Sequence, residues 1–350
     1  MLIIQIKSEK CAGCSRCVRE CPLEMANVVE KNEEGQIMVR IDYDKCICCG
    51  RCLYVCKHHA RDYVNDVERF FSDLSKGAEI SLIAAPAIKT NIPNYKQIFT
   101  YLKQMGVGKI YDAALGADIC VWAHIRHLKE QGQKPLITQP CPPIVKYCEI
   151  YQHSLLGNLS PVHSPIACTS IYMKKYEGIT GKIAAITPCT AKTVEFADTG
   201  LANYNLTFTK LMDYFANRSI SLPEKETDFD HPPGALGDLF PSPGGLKENL
   251  AFFLGNELSI DTAEGVNVYN MLDIYAKTPS DSLPHVFDVL NCSEGCNNGT
   301  GCTHDINIFS IKRQMDKKRI EALFNRGSEH FANLHKMFDE KFDLSSFMRK

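Results

Sequence analysis

The chain has 350 residues, 45% of them hydrophobic, and a formal net charge of −2, enough apolar material for a large core in two or more lobes. So small a charge gives no electrostatic footprint for nucleic acid or an anionic membrane, and no apolar run approaches the ~20 residues that a membrane helix needs. Met1-Leu-Ile-Ile-Gln-Ile lacks the basic and apolar regions of a secretion signal, so a cytoplasmic location is expected. The 17 cysteines then read as metal ligands or plain thiols, not disulfides.

In chain order, Cys11-x-x-Cys14-x-x-Cys17-x-x-x-Cys21-Pro22 comes first, then Cys46-x-x-Cys49-x-x-Cys52-x-x-x-Cys56. Two such runs are the signature of a two-cluster ferredoxin, in which the fourth cysteine of each run ligates the other cluster. Cys11, Cys14, Cys17 and Cys56 are therefore assigned to one [4Fe–4S] cluster, and Cys46, Cys49, Cys52 and Cys21 to the second. The competing reading, a pair of zinc sites, would call for separated Cys pairs rather than four-Cys runs. The second run has Lys57-His58-His59 where a closing proline would stand, a change in the turn and not in a ligand. Gly35 to Asp42 reads as a strand after a glycine turn, in keeping with a βαββαβ plan. This α+β ferredoxin-like domain, residues 1–76, would carry electrons and do no chemistry by itself.

Residues 60 to 77 read as a helical connector, with Val64, Val67, Phe70, Phe71 and Leu74 at helical spacing. A strand is expected over Glu79–Pro86, a helix over 95–105, a strand from Lys109 to Ala114 and a helix over 117–131. Three apolar runs then end on a cysteine: Pro135-Leu-Ile-Thr-Gln-Pro-Cys141, Lys182-Ile-Ala-Ala-Ile-Thr-Pro-Cys189 and His285-Val-Phe-Asp-Val-Leu-Asn-Cys292, the last followed by Ser-Glu-Gly-Cys296. Each reads as a buried strand. Ligands gather outside the carboxyl ends of strands in open α/β sheets, so four thiols delivered there suit a cluster inside an α/β domain, residues 77–310, of doubly wound type. Residues 222 to 248, with His231-Pro-Pro-Gly-Ala and Phe240-Pro-Ser-Pro-Gly-Gly245, form a loop long enough to cover or line a site. Residues 311–350 read as a charged helical tail on the outside, with Gly327 as its one turn residue.

The neighbours of the second cysteine set resemble a known family. Thr138-Gln-Pro-Cys141-Pro, Thr187-Pro-Cys189-Thr-Ala-Lys192-Thr-Val-Glu195 and Asn291-Cys292-Ser-Glu-Gly-Cys296-Asn-Asn-Gly299 are similar to the three active-site signatures of the [FeFe]-hydrogenases. Ala85-Pro86, Gly116-Ala-Asp118, Asn158-Leu-Ser160 and Ser164-Pro165 extend the match to about residue 305. The resemblance implies an H-cluster domain of two lobes, in which Cys141, Cys189, Cys292 and Cys296 hold a [4Fe–4S] cluster. Cys296 would bridge it to a diiron unit with CO, cyanide and a dithiolate. It further implies that Lys192 hydrogen-bonds a cyanide and that Pro86, Ser164, Pro165 and Phe240 line the diiron cavity. Read without the resemblance, Lys192 would be a surface lysine of the loop.

The chain also departs from that family. Pro140 stands where a second cysteine usually relays protons, and proline has no side-chain donor. His124, with His127 one turn on, replaces a glutamate. Thr187 and Leu290 replace two methionines beside the diiron site, while Ser160 is kept. Losing a relay thiol should slow turnover by ~10²–10⁴-fold if it acts as an ordinary general acid–base group, and His124 could substitute, since its pKa lies near working pH. As structural residues, His124 and His127 would instead be exposed or simply hydrogen-bonded. Glu149 and Glu294 are further relay candidates, although most glutamates are solvated surface groups. Cys48, Cys120, Cys148, Cys168 and Cys302 remain and read as small hydrophobes; Cys302 lies close in sequence to the bridge, and Cys120 one turn before His124.

These departures resemble the divergent sensory branch of the family. The expected function is a slow [FeFe]-hydrogenase cycling 2H⁺ + 2e⁻ and H₂ as a hydrogen sensor, with a ferredoxin-type redox partner. A signalling domain or protein would act beyond the end at Phe347-Met-Arg-Lys350. One alternative is a non-catalytic iron–sulfur protein of the assembly type without the diiron unit. Another is a fast hydrogenase in which a histidine or water replaces the thiol.

Overall fold

The computed structural model describes the chain apart from residues 1–2, 133, 139, 232–233, 256, 325–328 and 350; Gln139, Pro232, Pro233 and Gly327 of the motifs above therefore lie outside the described residues. The N-terminal elements are β1 (Ile4–Ile6), α1 (Arg16–Arg19), β2 (Asn27–Lys31), β3 (Ile37–Ile41), α2 (Arg51–Val55) and β4 (Arg61–Tyr63). The order is βαββαβ, but the strands make two separate antiparallel ribbons, β1 with β4 and β2 with β3. In the turn between β2 and β3 the Asn32 side-chain oxygen accepts the N–H of Glu34 at 3.1 Å and of Gln36 at 2.8 Å, the local capping that favours Asn in turns. Residues 61–63 are thus a strand and not the start of a connecting helix. Arg61 and Tyr63 are buried on either side of a half-buried Asp62, a period of two that a helix cannot satisfy. The helix begins at α3 (Val67–Ser75), whose Val67, Phe70, Phe71 and Leu74 are buried.

From there β5 (Ile80–Ala84), α4 (Ile88–Asn91), α5 (Tyr95–Gln104), β6 (Ile110–Asp112), α6 (Ala113–Glu130), β7 (Leu136–Ile137), α7 (Pro142–Ile150), α8 (Pro165–Ile171), β8 (Lys182–Thr187), α9 (Lys192–Thr199), β9 (Tyr204–Thr207) and α10 (Phe208–Asn217) follow. Strands β6, β5, β8 and β9 form a parallel sheet in that order. All five residues of β5 are buried, as a parallel strand covered on both faces requires. Helix α6 starts four residues earlier than its spacing suggested, because the Asp112 carboxylate caps it by accepting the Ala114 N–H at 2.9 Å.

The remaining elements are α11 (Gly245–Leu254), β10 (Ile260–Glu264), α12 (Asn267–Lys277), β11 (Val286–Leu290), α13 (Ile308–Phe324) and α14 (Glu329–Lys341). Strands β10, β11 and β7 make a second parallel sheet. The run toward Cys141 yields just two strand residues, flanked by bonds from Leu136 N–H to His285 O and from Thr138 N–H to Phe287 O, both at 3.0 Å. Pro135 and Pro140 bracket it and offer no N–H to a ladder. The tail packs on α6: Trp122 lies against Phe338, Phe342 and Phe347, and its Nε1 donates to Asp339 Oδ1 at 2.8 Å. Helix α13 is held through Lys318 to Asp238, which also binds Lys89 of α4 at 2.6 Å. Among the described residues no helix is long and apolar enough to cross a membrane.

Candidate metal-cluster site

The carboxyl ends of three strands deliver cysteines to one cavity of about 90 Å³. Cys141 follows β7 and caps α7, Cys189 follows β8, Cys292 follows β11 and Cys296 opens the turn after it. All four line the cavity wall, and the negative charge that each of the other three would carry raises the Cys141 thiol further. Burial comes first in every case: it pushes Cys141 well up and lifts Cys292 and Cys296 to about 12. Such thiols ionise only against a concentrated positive charge. N–H donors are aimed at the sulfurs, from the Ala191 and Lys192 backbone to Cys189, from the Asn291 backbone to Cys141 and from Thr300 to Cys292. Among the described residues no three His, Cys, Asp or Glu close up tightly enough to grip one ion. A cubane instead takes one thiolate at each of four separated iron corners. Soft ligands, half-buried and met by N–H donors, fit that group.

The rest of the wall is apolar: Pro86, Pro140, Pro165, Thr187, Phe240 and Leu290 with Lys192 among them. The Thr187 hydroxyl is turned away from the cavity, donating to Asn205 Oδ1 at 2.6 Å. Lys192 is no surface residue. Its ammonium donates to Pro140 O at 3.2 Å, to Ser164 Oγ at 2.9 Å and to Glu195, with 9% and 3% of the Lys192 and Glu195 side chains exposed. Ser164 also donates to Glu195 and caps α8 by accepting the Ala167 N–H. Ser164 thus stands one layer behind the wall, holding Lys192, and is not a wall residue itself. Glu195 was quoted in the motif without a task; its i,i+3 spacing from Lys192 on α9 was the available signal.

His124 and Ser160 come together away from this cavity. His124 Nδ1 lies 2.7 Å from Cys120 O and Nε2 lies 2.9 Å from Ser160 Oγ, all of it buried. Nδ1 therefore carries the proton, since a carbonyl can only accept. His124 is seven residues along α6 from Ala117 of the wall, roughly 10 Å by helical rise. Cys120 lies beside it, 3.5 Å from Nδ1. Glu149 needs correction as a relay candidate: 41% of its side chain is exposed and it pairs with Lys146 at 2.7 Å, a solvated pair on the surface of α7. Glu294 likewise pairs with Lys312 at 2.7 Å, and His127 is half-buried.

In the N-terminal domain Cys46 lies close enough to raise the Cys21 thiol by its charge, and Cys21 raises Cys49 and Cys52 in turn. Cys17 of the other run acts on Cys21 and Cys52 in the same way, so this proximity brings the two runs together without dividing them into two sets. Cys17 receives Arg61 Nη2 at 3.1 Å. Cys11 lies at the end of a short turn, Cys14 is exposed and Cys56 closes α2. Cys48 is buried beside Cys46, donating its N–H to that sulfur at 3.4 Å. Cys302 lies under the third site, its thiol 3.6 Å from Asn297 O, while Cys148 and Cys168 are in the core. Asn291, quoted in the third motif without a task of its own, contacts both cysteine sites.

A family profile described as "Iron only hydrogenase large subunit, C-terminal domain" matches residues 78–300, and one described as "4Fe-4S dicluster domain" matches residues 3–62. Iron hydrogenase 1 of Clostridium pasteurianum is 24% identical over 289 residues, 67% of this chain and 50% of that protein. The chain thus spans about half the length of that curated relative. The fold is shared with the [FeFe]-hydrogenase HydA1 from Chlamydomonas reinhardtii, with a TM-score of 0.58 and 16% identity over 82% of this chain and 98% of that one. The apo form of the same enzyme gives 0.59 at the same identity and coverage.

Proposed function

Since the chain belongs to the iron-only hydrogenase large-subunit family, we propose that it is an [FeFe]-hydrogenase interconverting 2H⁺ + 2e⁻ and H₂. In this reading Cys141, Cys189, Cys292 and Cys296 hold a [4Fe–4S] cluster, joined through Cys296 to a diiron unit with CO, cyanide and a dithiolate. When bound, that group supplies the metal centre at which protons and hydrogen are exchanged. The observation that carries the reading is the meeting of four half-buried thiols and one buried ammonium on a largely apolar wall.

The protein's own part is positioning and exclusion. Lys192, fixed by Glu195, Ser164 and Pro140 O, presents a compact cation to the cavity, suited to an anionic ligand such as cyanide. Pro86, Pro165, Phe240, Leu290 and Thr187 keep water out, which strengthens that electrostatic contact. Ser160 and His124 form an outer proton-holding pair, with Cys120 behind it.

The slow, sensory reading rests on Pro140. It lines the cavity and brings no side-chain proton to a place where the family carries a relay thiol, so each proton must come by a longer route. The two N-terminal clusters would supply electrons from a ferredoxin-type partner, and the sensory use calls for a signalling domain or protein. The non-catalytic alternative draws on Thr187 and Leu290, which put no methionine sulfur beside the cavity.

Infrared spectra of the matured chain test the proposal: CO and cyanide stretches that respond to H₂ are expected. Iron analysis separates the alternative, because three cubanes bind twelve irons and a diiron unit adds two. A matured sample that stops at twelve, without those stretches, would leave the iron–sulfur protein standing.

A further inference from the structure

Asn291 ties the two halves of the molecule together at their sulfur sites. It follows β11 and precedes Cys292. Its backbone N–H donates to Cys141 Sγ at 3.4 Å, and its side-chain Nδ2 donates to Cys292 Sγ at 3.5 Å and to Cys49 O at 3.3 Å. Its Oδ1 accepts the Tyr269 hydroxyl at 2.6 Å. The orientation of the amide is forced. The Cys49 carbonyl can only accept, so the NH₂ end must face it, which leaves the oxygen for Tyr269.

Tyr269 is itself closely packed. It is buried on α12 and its ring packs against Tyr147 at 4.8 Å, whose hydroxyl donates to Asp273 at 2.6 Å. The partner surface is equally close. A Cβ on Gly50, next to Cys49, would fall 2.7 Å from Thr300 and 2.9 Å from the Thr190 hydroxyl. The second ferredoxin-type loop is thereby pressed onto the segments that carry Cys189 and Cys296.

We propose that Asn291 is the positioning residue that couples the cluster site of Cys49 to that of Cys141 and Cys292 and sets the potential of the latter. The proposal rests on the cluster reading of the four cysteines, though not on the diiron unit. N–H donors to ligating sulfurs stabilise the more negative, reduced state of a cluster and so raise its potential. Asn291 gives the site two such donors, and Tyr269 keeps the second one pointed at sulfur. The third contact, to Cys49 O, holds the neighbouring site against the same amide.

The test is a redox titration of the full chain carrying its three cubanes, followed by electron paramagnetic resonance, with no diiron unit required. Asn291→Ala should lower the midpoint of the cluster held by Cys141, Cys189, Cys292 and Cys296 by about tenfold in its one-electron equilibrium, or ~59 mV. The two N-terminal midpoints should stay where they were. Tyr269→Phe, which keeps the amide but frees it to turn, should shift the same midpoint in the same direction by less, and it serves if the alanine variant loads iron poorly. Unchanged midpoints in both variants overturn the proposal, as does an equal shift of all three clusters, which would mark a general loosening. Infrared bands of the matured wild type report on the hydrogenase reading separately, so either can fail alone.

Discussion

The ammonium of Lys192 donates to the carbonyl of Pro140 at 3.2 Å. Pro140 therefore presents a backbone acceptor to the cavity's cation and no exchangeable side-chain proton. Pro140→Cys would put a thiol on the same stretch of wall. The expected outcome is faster hydrogen–deuterium exchange and H₂ turnover by ~10²-fold or more, the lower end of what a general acid–base group contributes. A matured Pro140→Cys protein no faster than wild type would mean that proton supply is not what limits this site.

Lys192 and Glu195 form a buried pair, and breaking such a pair from one side costs about 3–5 kcal/mol because the other charge stays behind. Lys192→Met should lower the melting temperature of the iron-loaded chain more than Glu195→Gln does. The carboxylate it strands is the more deeply buried partner. The double variant should melt above Lys192→Met, since neither charge is then left alone. Equal melting of all three variants would show that the pair carries no coupling.

Gly116 marks where α6 and α8 touch. A Cβ there would run into Pro165 O and the Thr169 hydroxyl, and Pro165 is part of the cavity wall. Overpacking a closed contact costs about 1–3 kcal/mol. Gly116→Ala should destabilise the chain by that much and also shift the infrared bands of a bound diiron unit by moving Pro165. A melting curve and spectrum matching wild type would mean that α8 moves freely, against its packing.

The cysteine arithmetic was legible because ligand spacing is a local property. Four thiols per run leave few readings, and strand ends are visible from the apolar runs that precede Cys189 and Cys292. What depended on distant partners was not legible. His124 finds Ser160 across 36 positions, and Asn291 finds Cys49 across 242, so neither pairing leaves a mark in its own segment. Glu149 was a relay candidate by residue type, whereas α7 turns it outward to Lys146. The edge strand β10 was missed because Ile260 to Glu264 is mostly exposed on both faces, which removes the alternation that identifies a strand.

His335 on α14 stacks on Phe253 with ring centroids 3.9 Å apart. Burial pushes its imidazole down to about 4, with the charge of Arg126 adding to the effect, Asp339 opposing it and Lys129 adding a little. An undocked tail would hold the same histidine near its ordinary 6.5. Below pH 6.5 the free tail therefore binds a proton that the docked tail refuses, so docking weakens progressively down to about pH 4 and is indifferent to pH above 6.5. Trp122 is the single tryptophan and sits under α14, so its emission wavelength reports the docking. In mild denaturant the emission should shift to the red as pH falls from 6.5 toward 4, and His335→Phe should flatten that response while keeping the stack on Phe253. A red shift of the same size in His335→Phe would place the acid sensitivity elsewhere.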